Sequence, residues 1–265
     1  MTFLRWAGSK KQILGTISQA WYASGAKGRY IEAFSGSAAL FFYLTPLEAV
    51  LIDCNPHLQE CMQILKLRPV AISTLLGKYI GDESEYYITR SICPIQLTAE
   101  ERAARFIYLN RYCFNGLYRT NSKGWFNVPY GGHKSGKLPD AAKLLYFSKL
   151  LKNATVVCGD FCAETKKIIR AGDFVYLDPP YAKNNASLDF QYGPNEFGIN
   201  DLERLEDLVS EIDRKGAYFV ISYALCREIE PIAKKWHKYE VAVRRTIAAS
   251  PQKRQNAPEL LISNI

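Results

Sequence analysis

The chain has 265 residues, 48% hydrophobic and 23% charged, which is enough apolar mass for a packed core and excludes extended disorder. No apolar run reaches the ~20 residues needed to cross a bilayer, and the opening MTFLRWAGSKKQIL lacks the apolar stretch and cleavage site of a secretory signal. Seven scattered cysteines form no disulfide framework, so a reducing cytoplasm is the expected location.

The net charge of +8 is segregated. Residues 1–31 carry five Lys or Arg and no acid, and residues 102–139 carry seven, again with no acid. The second stretch also holds eight aromatics, from Phe106 to Tyr130. Basic residues interleaved with rings point to a nucleic acid, whose phosphates attract the charge and whose bases stack on the rings.

In chain order, SKKQILGTISQAWY reads as a helix before a first buried strand, RYIEAF (29–34). GSAALFFYL then reads as a helix leading to AVLIDC (49–54). From about 58 to 140 no buried strand is evident. Helical patterns run through LQECMQILKL, VAISTLLGKYI, SEYYITRSI and TAEERAARFIYLNRY, followed by FNGLYRTNSKGWFNVPYGG with a hairpin around NSKG. The alternation resumes with ATVVCGD (154–160), the helix AETKKIIRAG with Gly172 as its C-cap, and FVYLD (174–178). DLERLEDLVSEIDRKG, YFVISYA (218–224), REIEPIAKKWH, YEVAVRRT (239–246) and ELLISN (259–264) complete it. Such alternation predicts an α/β sandwich on a mostly parallel sheet, the last two strands forming an antiparallel hairpin at its edge.

Two constellations carry chemistry. In EAFSGSAALFF a strand passes through a glycine turn into a helix, and Asp53 closes the next strand, 17 residues after Gly36. A carboxylate there suits a ribose cis-diol, so the pair predicts an adenosine-bearing cofactor without choosing among NAD, FAD and S-adenosylmethionine. The second is YLDPPY, residues 176–181. Two prolines make a rigid turn with free carbonyls. The Asp178 carboxylate and the Pro179 carbonyl can accept both protons of an exocyclic amine while Tyr181 stacks on its ring. Binding both hydrogens draws the nitrogen toward sp³ and exposes its lone pair.

At these residues the chain resembles the Dam-type (D12 class, α group) DNA adenine-N6 methyltransferases almost end to end. FLRWAGSKKQIL, AFSGSA, DCNP, LNRYCFNGLYRTNSKGWFNVPYG, CGDF, DPPY and RR…ELLISN follow the family's order. Ser37 stands where the family carries Gly or Ala. The resemblance implies a Rossmann-like class I S-adenosylmethionine methyltransferase sheet with helices on both faces, residues 1–57 and 141–265. A helical DNA-recognition domain carrying a β-hairpin, residues 58–140, is inserted into it. S-adenosyl-L-methionine and double-stranded DNA are the implied cofactor and partner, with neither metal nor membrane.

Carried over residue by residue, the resemblance assigns catalysis to Asp178, Pro179, Pro180 and Tyr181. It assigns the cofactor to Trp6, Ala7, Gly8, Lys10, Phe34, Gly36, Asp53, Asn55, Asp160, Phe161 and Asp178. It assigns DNA to Arg5, Arg111, Phe114, Asn115, Arg119, Asn121, Asn127 and Pro129. Phe114 matches a ring inserted into the base stack, Asn115 its neighbour at the unpaired base, and Arg119 and Arg5 match guanine readers. The family's usual target is GATC. Cytosine N4, an RNA adenine or a protein amide as acceptor, and a DNA-binding module without turnover, are the alternatives; a partner nuclease is not readable.

Several residues carry no expected function. His57, His133 and His237 form no ligand pattern. Cys158 and Cys162 read as buried thiols rather than half a metal site. Lys166, Lys167, Lys234 and Lys235 read as solvent-facing. In the long polar loop AKNNASLDFQYGPNEFG, Phe190 and Tyr192 are the lid candidates, a surface loop being the alternative.

Overall fold

The computed structural model describes residues 2–8, 10–132, 135–181, 197–244 and 256–265. The β-branched and aromatic runs form strands Tyr30–Glu32 (β1), Ala49–Asp53 (β2), Ala154–Cys158 (β3), Phe174–Leu177 (β4), Tyr218–Ala224 (β5), His237–Arg244 (β6) and Asn256–Ser263 (β7). The helices are Leu14–Ser24 (α1), Ala39–Leu44 (α2), Pro56–Leu67 (α3), Pro69–Leu76 (α4), Glu83–Ser91 (α5), Ala99–Tyr112 (α6), Ala141–Leu151 (α7), Phe161–Ile168 (α8), Ile199–Arg214 (α9) and Glu230–Ala233 (α10).

The strands make one seven-stranded sheet in the order β3-β2-β1-β4-β5-β7-β6. β1 runs parallel to β2 and β4, and β4 parallel to β5. β7 is antiparallel to both β5 and β6. The last two strands are therefore a hairpin as expected, but β7 lies inside the sheet and only β6 is at its edge. The buried run Leu260, Leu261, Ile262 explains this, because it needs a strand on each side.

The strand order reverses between β1 and β4, the place where an open α/β sheet leaves a crevice at its carboxyl ends. The β1-α2-β2 and β4-α9-β5 crossovers travel in opposite directions across the sheet. Right-handed connections therefore put α2 and α9 on opposite faces. On the α2 face Trp21 of α1 sets its ring edge-on to Tyr30 and Phe174, at 5.8 and 5.1 Å.

The chain packs as two compact units. The second holds Lys10–Cys54 together with β4 to β7. The first holds residues 2–8 and the described part of Asn55–Cys158. Here Asn55 Oδ1 caps α3 by accepting from His57 N and Leu58 N, with Pro56 pre-set at the first helical position. A capping box between Thr98 and Glu101 starts α6, which packs on α3 and α4. The helix α7 was not anticipated, although Leu144, Phe147, Ser148 and Leu151 bury one helical face. The NSKG hairpin forms: Asn121 N donates to Trp125 O at 2.8 Å and Asn127 N to Arg119 O at 3.0 Å.

Three local expectations need correction. α8 ends at Ile168, so Gly172 is no cap; with φ 81 it turns the chain into β4, donating to Gly216 O at 2.8 Å. Cys162 is buried but Cys158, at the end of an edge strand, is exposed. REIEPIAKKWH yields only a 3-10 turn at Arg227–Ile229 and the four residues of α10.

Candidate active site

At the carboxyl end of β1, Ala33 N donates to Tyr176 O at 3.1 Å and Ser35 N to Ile52 O at 2.8 Å. These bonds hold the start of the glycine turn to both neighbouring strands. Gly36 then takes φ 45, and its N–H donates to Asp53 Oδ2 at 2.8 Å. Phe34 stacks on Phe161 with ring centroids 4.7 Å apart, and Phe197 stands 5.9 and 6.0 Å from the two rings. Asp160 caps α8 by accepting from Cys162 N and Ala163 N, and pairs with Arg204, whose guanidinium lies 4.9 Å over Phe161. Burial opposes ionisation of Asp160, but Arg204 and the backbone donors outweigh it and hold the carboxyl below its ordinary value.

Asp178 follows β4 directly, with Pro179 buried and Tyr181 42% exposed after it. Its Oδ1 accepts from Ser222 Oγ at 3.0 Å and pairs with Lys10 Nζ at 3.1 Å. Ser222 in turn shares a hydrogen bond of 2.8 Å with Tyr176 OH. Lys10 Nζ also lies 2.9 Å from Glu259 Oε1 and donates to Tyr181 OH at 3.0 Å. Burial raises the Asp178 carboxyl above its ordinary value, and Glu259 adds to this while Lys10 opposes it. Burial works against the charge on Lys10, yet Asp178, Tyr181 and Glu259 outweigh it and its pKa rises.

Behind these groups Glu32 is buried at the end of β1, accepting from Tyr30 OH at 3.0 Å and Phe41 N at 3.3 Å. Burial pushes its carboxyl up to about 8.

In the first unit Trp6 stacks on Phe106 and Tyr118 at 6.4 and 6.2 Å, Ala7 is buried, and Gly8 is exposed with φ 79. Arg5 and Asn110 exchange two bonds, Arg5 N to Asn110 Oδ1 at 2.9 Å and Asn110 Nδ2 to Arg5 O at 2.5 Å. Arg5 Nη1 donates to Arg111 O and Ser135 O, at 3.1 and 3.0 Å. Arg111 Nε donates to Lys137 O, and burial with Arg5 nearby lowers its pKa. Phe114 is 49% exposed, and Asn115 beside it takes φ 54. Arg119 donates from Nε to Asn127 Oδ1 at 2.8 Å. Asn121 Oδ1 accepts from Lys123 N and Trp125 N, both at 3.0 Å, and Pro129 O accepts from Phe114 N at 2.9 Å.

The second unit thus gathers Lys10, Phe34, Gly36, Asp53, Asp160, Phe161 and the DPPY turn at the strand ends. Trp6, Ala7, Gly8 and Asn55 belong to the first unit, with all the residues expected to meet DNA. Glu259, Ser222 and Arg204 were missed. Glu259 opens the apolar run ELLI, and a carboxylate that such a strand buries needs a partner, which the sequence does not name. The polar groups of Ser222 and Arg204 follow no pattern that spacing alone reveals. Phe190 and Tyr192 lie outside the described residues. Among the described residues no three His, Cys, Asp or Glu come together to hold a metal, and no helix is long and apolar enough to cross a membrane.

The residues at the strand ends fit an adenosine-bearing methyl donor. A glycine turn braced by an acid, a stacked aromatic pair and a half-buried acid after β4 share one end of the sheet. The sheet order and the crevice at its switch point define the class of fold, a Rossmann-like open α/β sheet. The family follows from comparison: the family described as D12 class N6 adenine-specific DNA methyltransferase matches residues 6–247, and the chain belongs to it. Type II methyltransferase M1.LlaDCHI of Lactococcus lactis subsp. cremoris is 34% identical over 272 residues, covering 99% of this chain and 94% of that one. Type II methyltransferase M.MjaIII of Methanocaldococcus jannaschii is 34% identical over 286 residues, covering 99% and 98%. A DNA adenine methylase of Haemophilus influenzae is 32% identical over 269 residues, covering 98% and 92%.

Proposed function

We propose that the chain methylates N6 of an adenine flipped out of duplex DNA, within a short guanine-containing site such as GATC. The observation that carries this reading is the adjacency of the Gly36 turn and Asp178, joined through the Ala33–Tyr176 bond at the sheet's switch point. S-adenosyl-L-methionine, when bound, supplies an electrophilic methyl group.

Asp53 and Gly36 would hold the cofactor's ribose end, and Phe34 with Phe161 would flank its adenine. Lys10 and Asp160 complete the proposed cofactor set of the second unit, and Trp6, Ala7, Gly8 and Asn55, in the first, are proposed for the cofactor on the family resemblance alone. Asp178 and the Pro179 carbonyl accept the acceptor's two N–H bonds, which localises the nitrogen lone pair. Tyr181, with Pro180 stiffening the turn before it, stacks on the flipped base.

Residues 58–140 act as the recognition domain and 1–57 with 141–265 as the catalytic one. Phe114 inserts where the base leaves, Asn115 meets the orphaned partner, and Arg119 and Arg5 read guanine edges. Arg111, Asn121, Asn127 and Pro129 support the same surface. Expression in a host without DNA methylation, followed by methylation-sensitive sequencing, tests the reading. N6-methyladenine at one short recurrent site supports it, and unmodified DNA from cells making folded protein counts against it.

A further inference from the structure

Lys10 does not stand between one acid and solvent. Its side chain is 9% exposed and sits between two carboxylates, Asp178 at 3.1 Å and Glu259 at 2.9 Å, with the Tyr181 hydroxyl as third partner. Glu259 is itself 3% exposed. Both bonds that the described residues make to Asp178, from Lys10 and from Ser222, fall on Oδ1. Among the described residues the acid is thus held through one oxygen.

We propose that Glu259 is a positioning residue for methyl transfer: it anchors Lys10, so that the ammonium orients Asp178 through Oδ1 without neutralising it. This rests on the reading of Asp178 as acceptor for the amine. As the amine nitrogen forms its new bond it becomes positively charged. A largely shielded Asp178–Lys10 pair alone has no net charge to offer it. Adding Glu259 leaves one negative charge beside the nitrogen, fixed in place before the reaction and shielded from water. Glu259 also gives the ammonium somewhere to stay when the amine competes for Asp178, so Lys10 need not be expelled into solvent.

The titratable groups facing Lys10 are Asp178, Tyr181 and Tyr176 from β4 and its turn and Glu259 from β7, with Glu32 behind Asp178. Glu259→Gln keeps the shape and removes the charge; Glu259→Asp keeps the charge. Two readouts decide. In full-length protein, Glu259→Gln should lower kcat on DNA roughly 10- to 100-fold with little change in KM for either substrate. Glu259→Asp should recover most of that loss.

Independently of turnover, the pH profile of Lys10 labelling by an amine-reactive reagent, read by mass spectrometry, should move to lower pH in Glu259→Gln, since one stabilising carboxylate is gone. A normal kcat in Glu259→Gln overturns the proposal. So does a reduced kcat with an unmoved Lys10 profile, which would place the effect elsewhere. If wild-type protein methylates no DNA, the functional reading fails, while the labelling profile still decides whether Glu259 anchors Lys10.

Discussion

Asp53 at the end of β2 accepts a hydrogen bond from the backbone N–H of Gly36 just beyond β1, at 2.8 Å through Oδ2. One side chain thereby fixes the height of the glycine turn and presents a carboxylate at the strand ends. If that carboxylate also meets a ribose, its loss removes a brace and a ligand contact together. Asp53→Ala should weaken S-adenosyl-L-methionine binding by about 2 kcal/mol or more, roughly thirtyfold in Kd. Isothermal calorimetry checks this; unchanged affinity in a folded variant would remove Asp53 from the cofactor site.

Arg119 is exposed on the hairpin and braced by Asn127, donating from Nε to its Oδ1 at 2.8 Å and from Nη2 to its carbonyl at 3.4 Å. A fork of this kind matches O6 and N7 of guanine. Arg119→Ala should cost ~1–3 kcal/mol of discrimination at one base pair. Competition between the methylated sequence and its single-base variants measures this. Equal weakening on all sequences would make Arg119 a phosphate contact instead.

Gly116 takes φ 66, and a Cβ placed there would lie 2.7 Å from Arg5 Cβ and 2.9 Å from Arg5 O. These neighbours are the Arg5 backbone and the Cβ fixed to it, and cannot swing aside. Gly116→Ala should therefore cost about 1–3 kcal/mol of stability and displace Phe114 and Asn115. Denaturant unfolding and DNA affinity report the two effects, and a wild-type midpoint would contradict the packing described.

Glu32 offers a pH test with a definite sign. Its folded carboxyl, pushed up to about 8 from 4.5, binds a proton that the unfolded chain has already released. The stability it contributes is full below pH ~4.5 and is lost progressively as pH rises through about 8. Glu32→Gln mimics the protonated form. It should match the wild type near pH 5 and exceed it in thermal midpoint at pH 8.5. Parallel pH profiles for the two proteins would refute this assignment.

Much of this arrangement was legible in the residues. Short β-branched and aromatic runs marked every strand; in β2 and β4 the run is continuously apolar because a buried parallel strand needs it. Gly36, Asp53 and Asp178 stood out in the sequence as a glycine turn and two strand-end acids, and the structure places all three at the carboxyl ends of the strands, with Gly36 N bonded to Asp53 Oδ2. Long-range pairing was not. Nothing local in ELLISN says that β7 slides between β5 and β6, so the meeting of Glu259 with Lys10 stayed hidden. Cys158 and Gly172 were misread for a related reason: exposure at a sheet edge and the end of α8 depend on neighbours distant in sequence.

The central claim, that Asp178 presents an adenine amine to a methyl donor, is tested most directly by one measurement. Duplex DNA is incubated with protein and methyl-labelled S-adenosyl-L-methionine, digested to nucleosides, and the label assigned. The account predicts label in N6-methyl-2′-deoxyadenosine for wild type and none for Asp178→Ala, which still binds DNA. Label in N4-methylcytosine, or an Asp178→Ala protein that transfers methyl at the wild-type rate, would contradict it.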